Sequence, residues 1–352
     1  MNTNRILFVT ITNESTGIGH LKRCHTIADE AYKIKWDISM LILCDKPINF
    51  KCEKYKYFYE CSEIEKGLKI FKTKNQGHYD LVISDIVISN LVNSNRNIDN
   101  ILSLIKQLGN FHFCIDSLGS SSLYSNNKTK YVDKLIIPYI VEKKLFNPYQ
   151  KKIIYGKDYA IISSEYKNIK KKEIVDKARK ILLTAGGSDP LNFTNKILTI
   201  LELINYELDI KIIIGPLFSQ INITEINKCI SQSSHNVEAI TNPSSLFKYI
   251  NWSDLAISAS GLTKYELAAT GTPSMLFSMS RESYEINKIF IKESNFIDLG
   301  FDIQKSNLYE LMLDIVNSKE KRLRISRNSY KLFDGEGTKR IISNLSKHLK
   351  IN

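Results

Sequence analysis

The sequence of 352 residues carries 49 Lys+Arg against 37 Asp+Glu, a formal net charge of +12, with 43% hydrophobic residues and only 7 Pro. That is roughly two domains at about 150 residues each, and the composition excludes disordered, collagen-like and disulfide-scaffold chains. The positive balance suits an anionic partner, but only nine of the cations are Arg and no Arg–aromatic recognition motif is present, so no nucleic acid partner is expected.

Short apolar runs alternate with helix-length segments. Residues 6–12 read as a buried strand, 20–33 as a helix, 37–44 and 81–85 as strands, 98–108 as a helix and 111–116 as a strand. A Ser-rich stretch at 117–125, then Pro138, Pro148 and a lysine run at 167–172, break this regularity and set a junction near residue 165. The alternation resumes with strand 181–185, a helix from Pro190, strand 210–214, a helix near Thr224, strand 237–240 and a short helix from Ser244. Strand 255–259, a helix from Leu262 and strand 274–277 follow, then helices near Glu285, Leu308, Glu320 and Thr338. Apolar strands separated by helices predict an α/β chain of two Rossmann-like, doubly wound domains, 1–165 and 166–352, with a cleft between them. The last helix is free in length to pack back on the first domain.

The six cysteines (Cys24, Cys44, Cys52, Cys61, Cys114, Cys229) form no CxxC pair, and no His or Cys cluster has zinc-ligand spacing. Reduced thiols, a cytoplasmic location and no metal are expected. The apolar run at 6–11 is too short for a signal-peptide core, and nowhere do about 18 apolar residues follow one another. The basic cluster at 319–327 reads as a solvated helix face or as a patch for an acidic membrane surface.

Three glycine-bearing turns follow predicted strands. In Gly17-Ile18-Gly19-His20 the glycines let backbone N–H groups point outward at a helix start, and the pattern is not GxGxxG because Lys22 stands at the third glycine position. His20, at the mouth of the expected cleft, can take a proton from water or a hydroxyl, or it simply caps its loop. In Gly186-Gly187-Ser188-Asp189-Pro190, Ser188 or Asp189 can cap a helix whose first turn holds Pro190. In Ser258-Ala259-Ser260-Gly261-Leu262-Thr263-Lys264-Tyr265-Glu266, a small-residue turn opens a helix start suited to a diphosphate, with Glu266 one turn inside to accept from a ribose. Together the turns describe a site for a nucleoside diphosphate.

The segments GIGHLKRCHTIADE (17–30), GGSDP (186–190) and SASGLTKYELAATGTPS (258–274), with Asn287, resemble the UDP-sugar hydrolases of nonulosonic (pseudaminic) acid biosynthesis. These are relatives of the GT-B glycosyltransferase that makes the second lipid intermediate of peptidoglycan. The likeness extends to YGKDYAIISSEY (155–166) and FDGEGTKRI (333–341). It implies a GT-B-like pair of domains, with UDP held mostly by the second and the sugar projecting towards the first. By position, His20 would activate water for attack at the anomeric carbon, with Gly17, Gly19 and Arg23 lining the same loop. Ser260, Gly261 and Leu262 would hold the diphosphate, Glu266 the ribose and Asn287 the phosphate or sugar, while Gly187 and Ser188 would line the cleft. A UDP leaving group held by a helix start requires no metal, and no cofactor is implied.

The chain departs from the family pattern where a tyrosine usually follows the fourth-strand aspartate, here Asp85-Ile86-Val87. It also has Ser163-Ser164-Glu165-Tyr166 in place of an arginine at the junction, and Lys288 in place of glutamine after Asn287. These positions fall on the sugar side. Beside the hydrolase stand an inverting glycosyltransferase, in which His20 deprotonates an acceptor hydroxyl, and a non-catalytic nucleotide-sugar binding module.

Overall fold

The structure, a computed structural model, describes residues 3–13, 17–45, 53–75, 77–87, 98–141, 152–302 and 305–351. Pro148 and Cys52 lie outside these residues. The chain divides into two compact units, Met1–Ser164 with Glu336–Asn352, and Glu165–Gly335.

The first unit holds a parallel sheet of β1 (Arg5–Thr12), β2 (Asp37–Cys44), β3 (Lys56–Glu60), β4 (Tyr79–Asp85), β5 (Gly109–Ile115), β6 (Lys134–Ile137) and β7 (Ile153–Tyr155). Their spatial order is β3-β2-β1-β4-β5-β6-β7, and each neighbouring pair runs parallel. Strand β1 is apolar on both faces, so alternate residues serve two cores. Ile6 and Phe8 belong to one with Leu21, Ile27, Ile341 and Leu345, whereas Leu7, Val9 and Ile11 belong to the other with Leu68, Phe71, Ile101 and Leu102. The first core is roofed by α1 (Gly19–Lys33) and the returning C-terminal helix, α11 (Gly337–Ile351); the second by α2 (Ile64–Lys74) and α3 (Ile98–Lys106). Each fully buried Leu, Ile or Phe contributes about 1.5–3 kcal/mol, so helices on both faces are what let an uninterrupted apolar strand persist.

The second unit repeats the plan with β8 (Lys180–Thr184), β9 (Asp209–Ile214), β10 (Asn236–Thr241), β11 (Leu255–Ala259), β12 (Ser274–Phe277) and β13 (Ile297–Asp298), ordered β10-β9-β8-β11-β12-β13. Around it lie α4 (Phe193–Leu201), α5 (Gln220–Gln232), α6 (Phe247–Trp252), α7 (Thr263–Thr270), α8 (Arg281–Ser294), α9 (Lys305–Asn317) and α10 (Lys319–Tyr330). In each sheet the strand order reverses once about the first strand, between β1 and β4 and between β8 and β11. Those are the switch points beside which ligands of open α/β sheets bind.

Most predicted elements stand within two or three residues of their expected bounds. The helix expected from Pro190 instead begins at Phe193, because the buried Asp189 carboxylate accepts from the Phe193 and Thr194 backbone N–H groups at 2.9 and 2.8 Å. Pro190 therefore lies in the turn, and Asp189 rather than Ser188 does the capping. The basic cluster at 319–327 is not a uniform solvated face. Arg322 in α10 is wholly buried and donates to the carbonyls of Ile315, Val316, Val175 and Asp176. No helix among the described residues is long and apolar enough to cross a membrane.

His112 of β5 is buried, with Nδ1 2.8 Å from the Tyr131 carbonyl and Nε2 2.7 Å from the Ser84 hydroxyl. A carbonyl only accepts, so Nδ1 carries the proton and Nε2 accepts from Ser84. Burial depresses its pKa from 6.5 to about 4. Between those values the unfolded chain binds the extra proton and the folded chain does not, so stability falls as pH drops from about 6.5 towards 4, by on the order of 3 kcal/mol. Thermal unfolding followed across this window should show that slope in the native chain and a shallower one in His112→Asn, whose side-chain amide can still donate to Tyr131.

Candidate functional site

Strand β1 ends at Thr12, whose hydroxyl donates to the Gly17 carbonyl at 3.0 Å. Gly17 has φ +65°, a left-handed conformation that a side chain would strain, and its N–H returns to the Asn13 carbonyl at 2.9 Å. The turn feeds directly into α1, which starts at Gly19 and places His20 and Arg23 on one face, one turn apart. Beside β1 in the sheet, β4 ends on Asp85, paired in register with Thr10.

Asp85 is 1% exposed, and its carboxylate meets both helix residues. Arg23 holds it in a two-pronged grip, Nε to Oδ2 at 2.6 Å and Nη2 to Oδ1 at 2.9 Å. His20 Nδ1 lies 2.6 Å from Oδ1. Arg23 Nη2 also lies 2.9 Å from His20 Nδ1, but a guanidinium can only donate and an ionised carboxylate can only accept. The shorter contact therefore fixes the proton on Nδ1, donated to Asp85, and leaves Nε2 as the imidazole's free acceptor position. Burial disfavours both charges of the pair. Their mutual attraction and hydrogen bonds, helped by His20 at Asp85, more than offset it, holding the Asp85 carboxyl below and the Arg23 guanidinium above their ordinary pKa values.

The next strand end shows a second ordered carboxylate. Asp116, just past β5 and 1% exposed, accepts from the N–H groups of Ser117, Leu123 and Tyr124 and from the Ser122 hydroxyl, at 2.7–3.0 Å. It gathers the Ser-rich stretch into a fixed loop on the same edge of the sheet as His20.

In the second unit, the Gly186–Ser188 and Ser260–Leu262 turns leave adjacent parallel strands, β8 and β11, at their carboxyl ends. Gly187 is held from the turn after β9: its carbonyl accepts from Leu217 N–H at 2.9 Å. That approach is possible only because residue 215 is glycine, where a Cβ would fall 2.2 Å from the Gly186 carbonyl oxygen. Ser188 is half-buried on the loop.

Helix α7 has no side-chain cap at Leu262. No partner among the described residues is found for the N–H groups of Gly261 and Leu262, and a Cβ at Gly261 would meet open space. Those donors face outward at the positive end of a helix. Ser260 is different. Its N–H is committed to the Phe277 carbonyl at 2.8 Å, and its hydroxyl contacts Ser278 Oγ at 3.0 Å and accepts from Asn287 at 2.9 Å. Asn287 is 2% exposed; its amide also donates to Ser283 and its oxygen accepts from Lys264. Lys264, 6% exposed, rests over the Tyr265 and Phe290 rings at 5.0 Å. Ser260 and Asn287 are thus brought together with a buried cation under the helix start. Glu266 lies one helical turn inside, half-buried and within electrostatic reach of Tyr166.

The structure therefore assembles two groups, Gly17, Gly19, His20 and Arg23 in the first unit and Gly187, Ser188, Ser260, Gly261, Leu262, Glu266 and Asn287 in the second. Two members escaped the sequence reading as site residues. Asp85 was named only as the aspartate before a departure from the family pattern, and Lys264 only as one residue of the segment after β11. Among the described residues no group of His, Cys, Asp and Glu is arranged to hold a metal ion.

No family model matches the chain. An uncharacterized protein of Methanocaldococcus jannaschii is 24% identical over 351 residues, covering 90% of this chain and 67% of that protein. Among solved structures, UDP-GlcNAc 2-epimerase from Neisseria meningitidis bound to UDP-GlcNAc superposes with a TM-score of 0.62 at 15% identity, covering 97% of this chain and 100% of the other. CalG4, the calicheamicin glycosyltransferase, gives 0.63 at 12% identity over 99% of each. The fold is GT-B.

Removing one partner of a buried ion pair leaves the other charge uncompensated, a loss of about 3–5 kcal/mol. Urea unfolding of Arg23→Met should show a loss of that order. Asp85→Asn should cost much less in the Arg23→Met background than in the native one, and additive losses would mean that the two groups are not coupled.

Proposed function

We propose that the chain is a UDP-sugar hydrolase, cleaving a UDP-linked diacetamido-trideoxy sugar to UDP and free sugar in a cytoplasmic, pseudaminic acid-like biosynthetic route. The observation that carries this reading is the Asp85 carboxylate on Nδ1 of His20. It orients a general base whose open nitrogen, Nε2, accepts a proton from water as the water oxygen attacks the anomeric carbon. The bond from that carbon to the diphosphate oxygen then breaks, and the electron pair leaves with UDP. The charge developing on the diphosphate meets the outward N–H groups at Gly261 and Leu262, with the buried Lys264 beneath them. Gly187 and Ser188 line the nucleotide, Glu266 accepts from the ribose hydroxyls, and Arg23, Gly17 and Gly19 shape the loop around the sugar. Asn287 acts through Ser260 and Lys264, since both of its amide N–H donors are taken. The GT-B neighbours, a UDP-GlcNAc 2-epimerase bound to UDP-GlcNAc and the calicheamicin glycosyltransferase, support a nucleotide-sugar donor.

The likeness to CalG4 favours one second reading, an inverting glycosyltransferase in which His20 deprotonates an acceptor hydroxyl. Phosphorus NMR of the protein with a panel of UDP-linked diacetamido sugars separates the two. Hydrolysis predicts UDP without any acceptor, reduced ~10³-fold in His20→Ala with UDP binding retained. Release only with an acceptor would replace the hydrolase by the transferase. UDP binding without turnover under either condition would leave a binding module, and unchanged turnover in His20→Ala would remove the base.

A further inference from the structure

The described cysteines are all free thiols, yet two of them meet. Cys44 closes β2 and is buried; Cys61 follows β3 and is exposed. In the parallel register Leu43 stands opposite Glu60, so Cys44 and Cys61 are the next opposed positions along neighbouring strands. Neighbouring strands lie about 4.8 Å apart, inside the usual Cα separation of about 4.4–6.8 Å for a disulfide. Their sulfurs are 3.0 Å apart. Cys114 and Cys24, by contrast, are sealed in the core.

We propose that Cys44 and Cys61 are a reversible disulfide site on the carboxyl edge of the first unit's sheet, closed by low-molecular-weight disulfides such as oxidised glutathione. The chemistry is a pair of exchanges. The Cys61 thiolate attacks one sulfur of glutathione disulfide, whose S–S bond breaks and releases one glutathione thiolate. Cys44 then loses its proton and attacks the Cys61 sulfur of the mixed disulfide, releasing the second. Two protein thiols are oxidised, one glutathione disulfide is reduced to two thiols, and the two protons end on them. Burial and the contact with Cys61 push the Cys44 thiol up to about 12, which assigns the first attack to the exposed partner and the closing step to the buried one. The bridge would sit one strand from the His20 loop, since Cys44 is paired with Thr12, the residue that holds the Gly17 carbonyl.

Treating the full chain with glutathione disulfide and mapping its peptides tests this. The expected product is a Cys44–Cys61 cross-link, with the loss of two hydrogen atoms, full reversal by dithiothreitol and a melting temperature higher by several degrees than the reduced chain. Cys44→Ser should stop at a glutathione adduct on Cys61, and Cys61→Ser should leave Cys44 unmodified. An adduct that persists on Cys61 in the native chain, a cross-link through any other cysteine, or two thiols that stay open to alkylation would each overturn the proposal.

Discussion

A carboxylate sealed inside a protein must be compensated, and the structure around Asp85 follows from that requirement. Its desolvation costs several kcal/mol unless fixed donors replace water. Arg23 and His20 supply them from one face of α1, whose start is held beside the sheet by the Thr12 hydroxyl on the Gly17 carbonyl. The same contact that neutralises Asp85 determines which imidazole nitrogen bears a proton. A stabilising ion pair and an oriented imidazole are therefore one arrangement.

Topology explains why this happens where it does. At the switch point β1 and β4 send their connections to opposite faces of the sheet, opening a crevice at their carboxyl ends. The second unit opens the corresponding crevice between β8 and β11, and lines it with donors. Gly215 lets the Gly186–Gly187 turn sit close, and Asn287 ties Ser260 and Lys264 beneath α7. In the proposed hydrolysis the first crevice moves the proton and the second holds the negative charge. The overall charge of +12 takes little part, because the cations that matter, Arg23 and Lys264, are fixed by individual partners.

Legibility in the sequence followed range. Most sheet strands, and the described helices other than α2, were readable because apolar periodicity and glycine turns are local, and His20 stood out because two glycines precede it. Asp85 is 62 positions from Arg23, and nothing in either neighbourhood announces the other; only the strand order joins them. Lys264 and Arg322 were misleading for a related reason. Their charge suggests solvent, while their burial depends on rings and carbonyls contributed by other elements. Strands β3, β6, β7 and β13 were not expected: at two to five residues they are too short for periodicity to accumulate, and they exist because a neighbouring strand offers an edge to extend. The Pro190 helix start was placed early because a capping carboxylate can serve N–H groups four and five residues on, as Asp189 does.

Nitrogen-15 NMR of the labelled His20 imidazole reports which ring nitrogen carries the proton. In the neutral ring the Asp85 contact should place a proton on Nδ1 and leave Nε2 unprotonated, with that preference lost in Asp85→Asn. A neutral ring protonated on Nε2 in the native chain would contradict it, because Nδ1 would then accept from Arg23 and His20 would have no free nitrogen with which to act as a base.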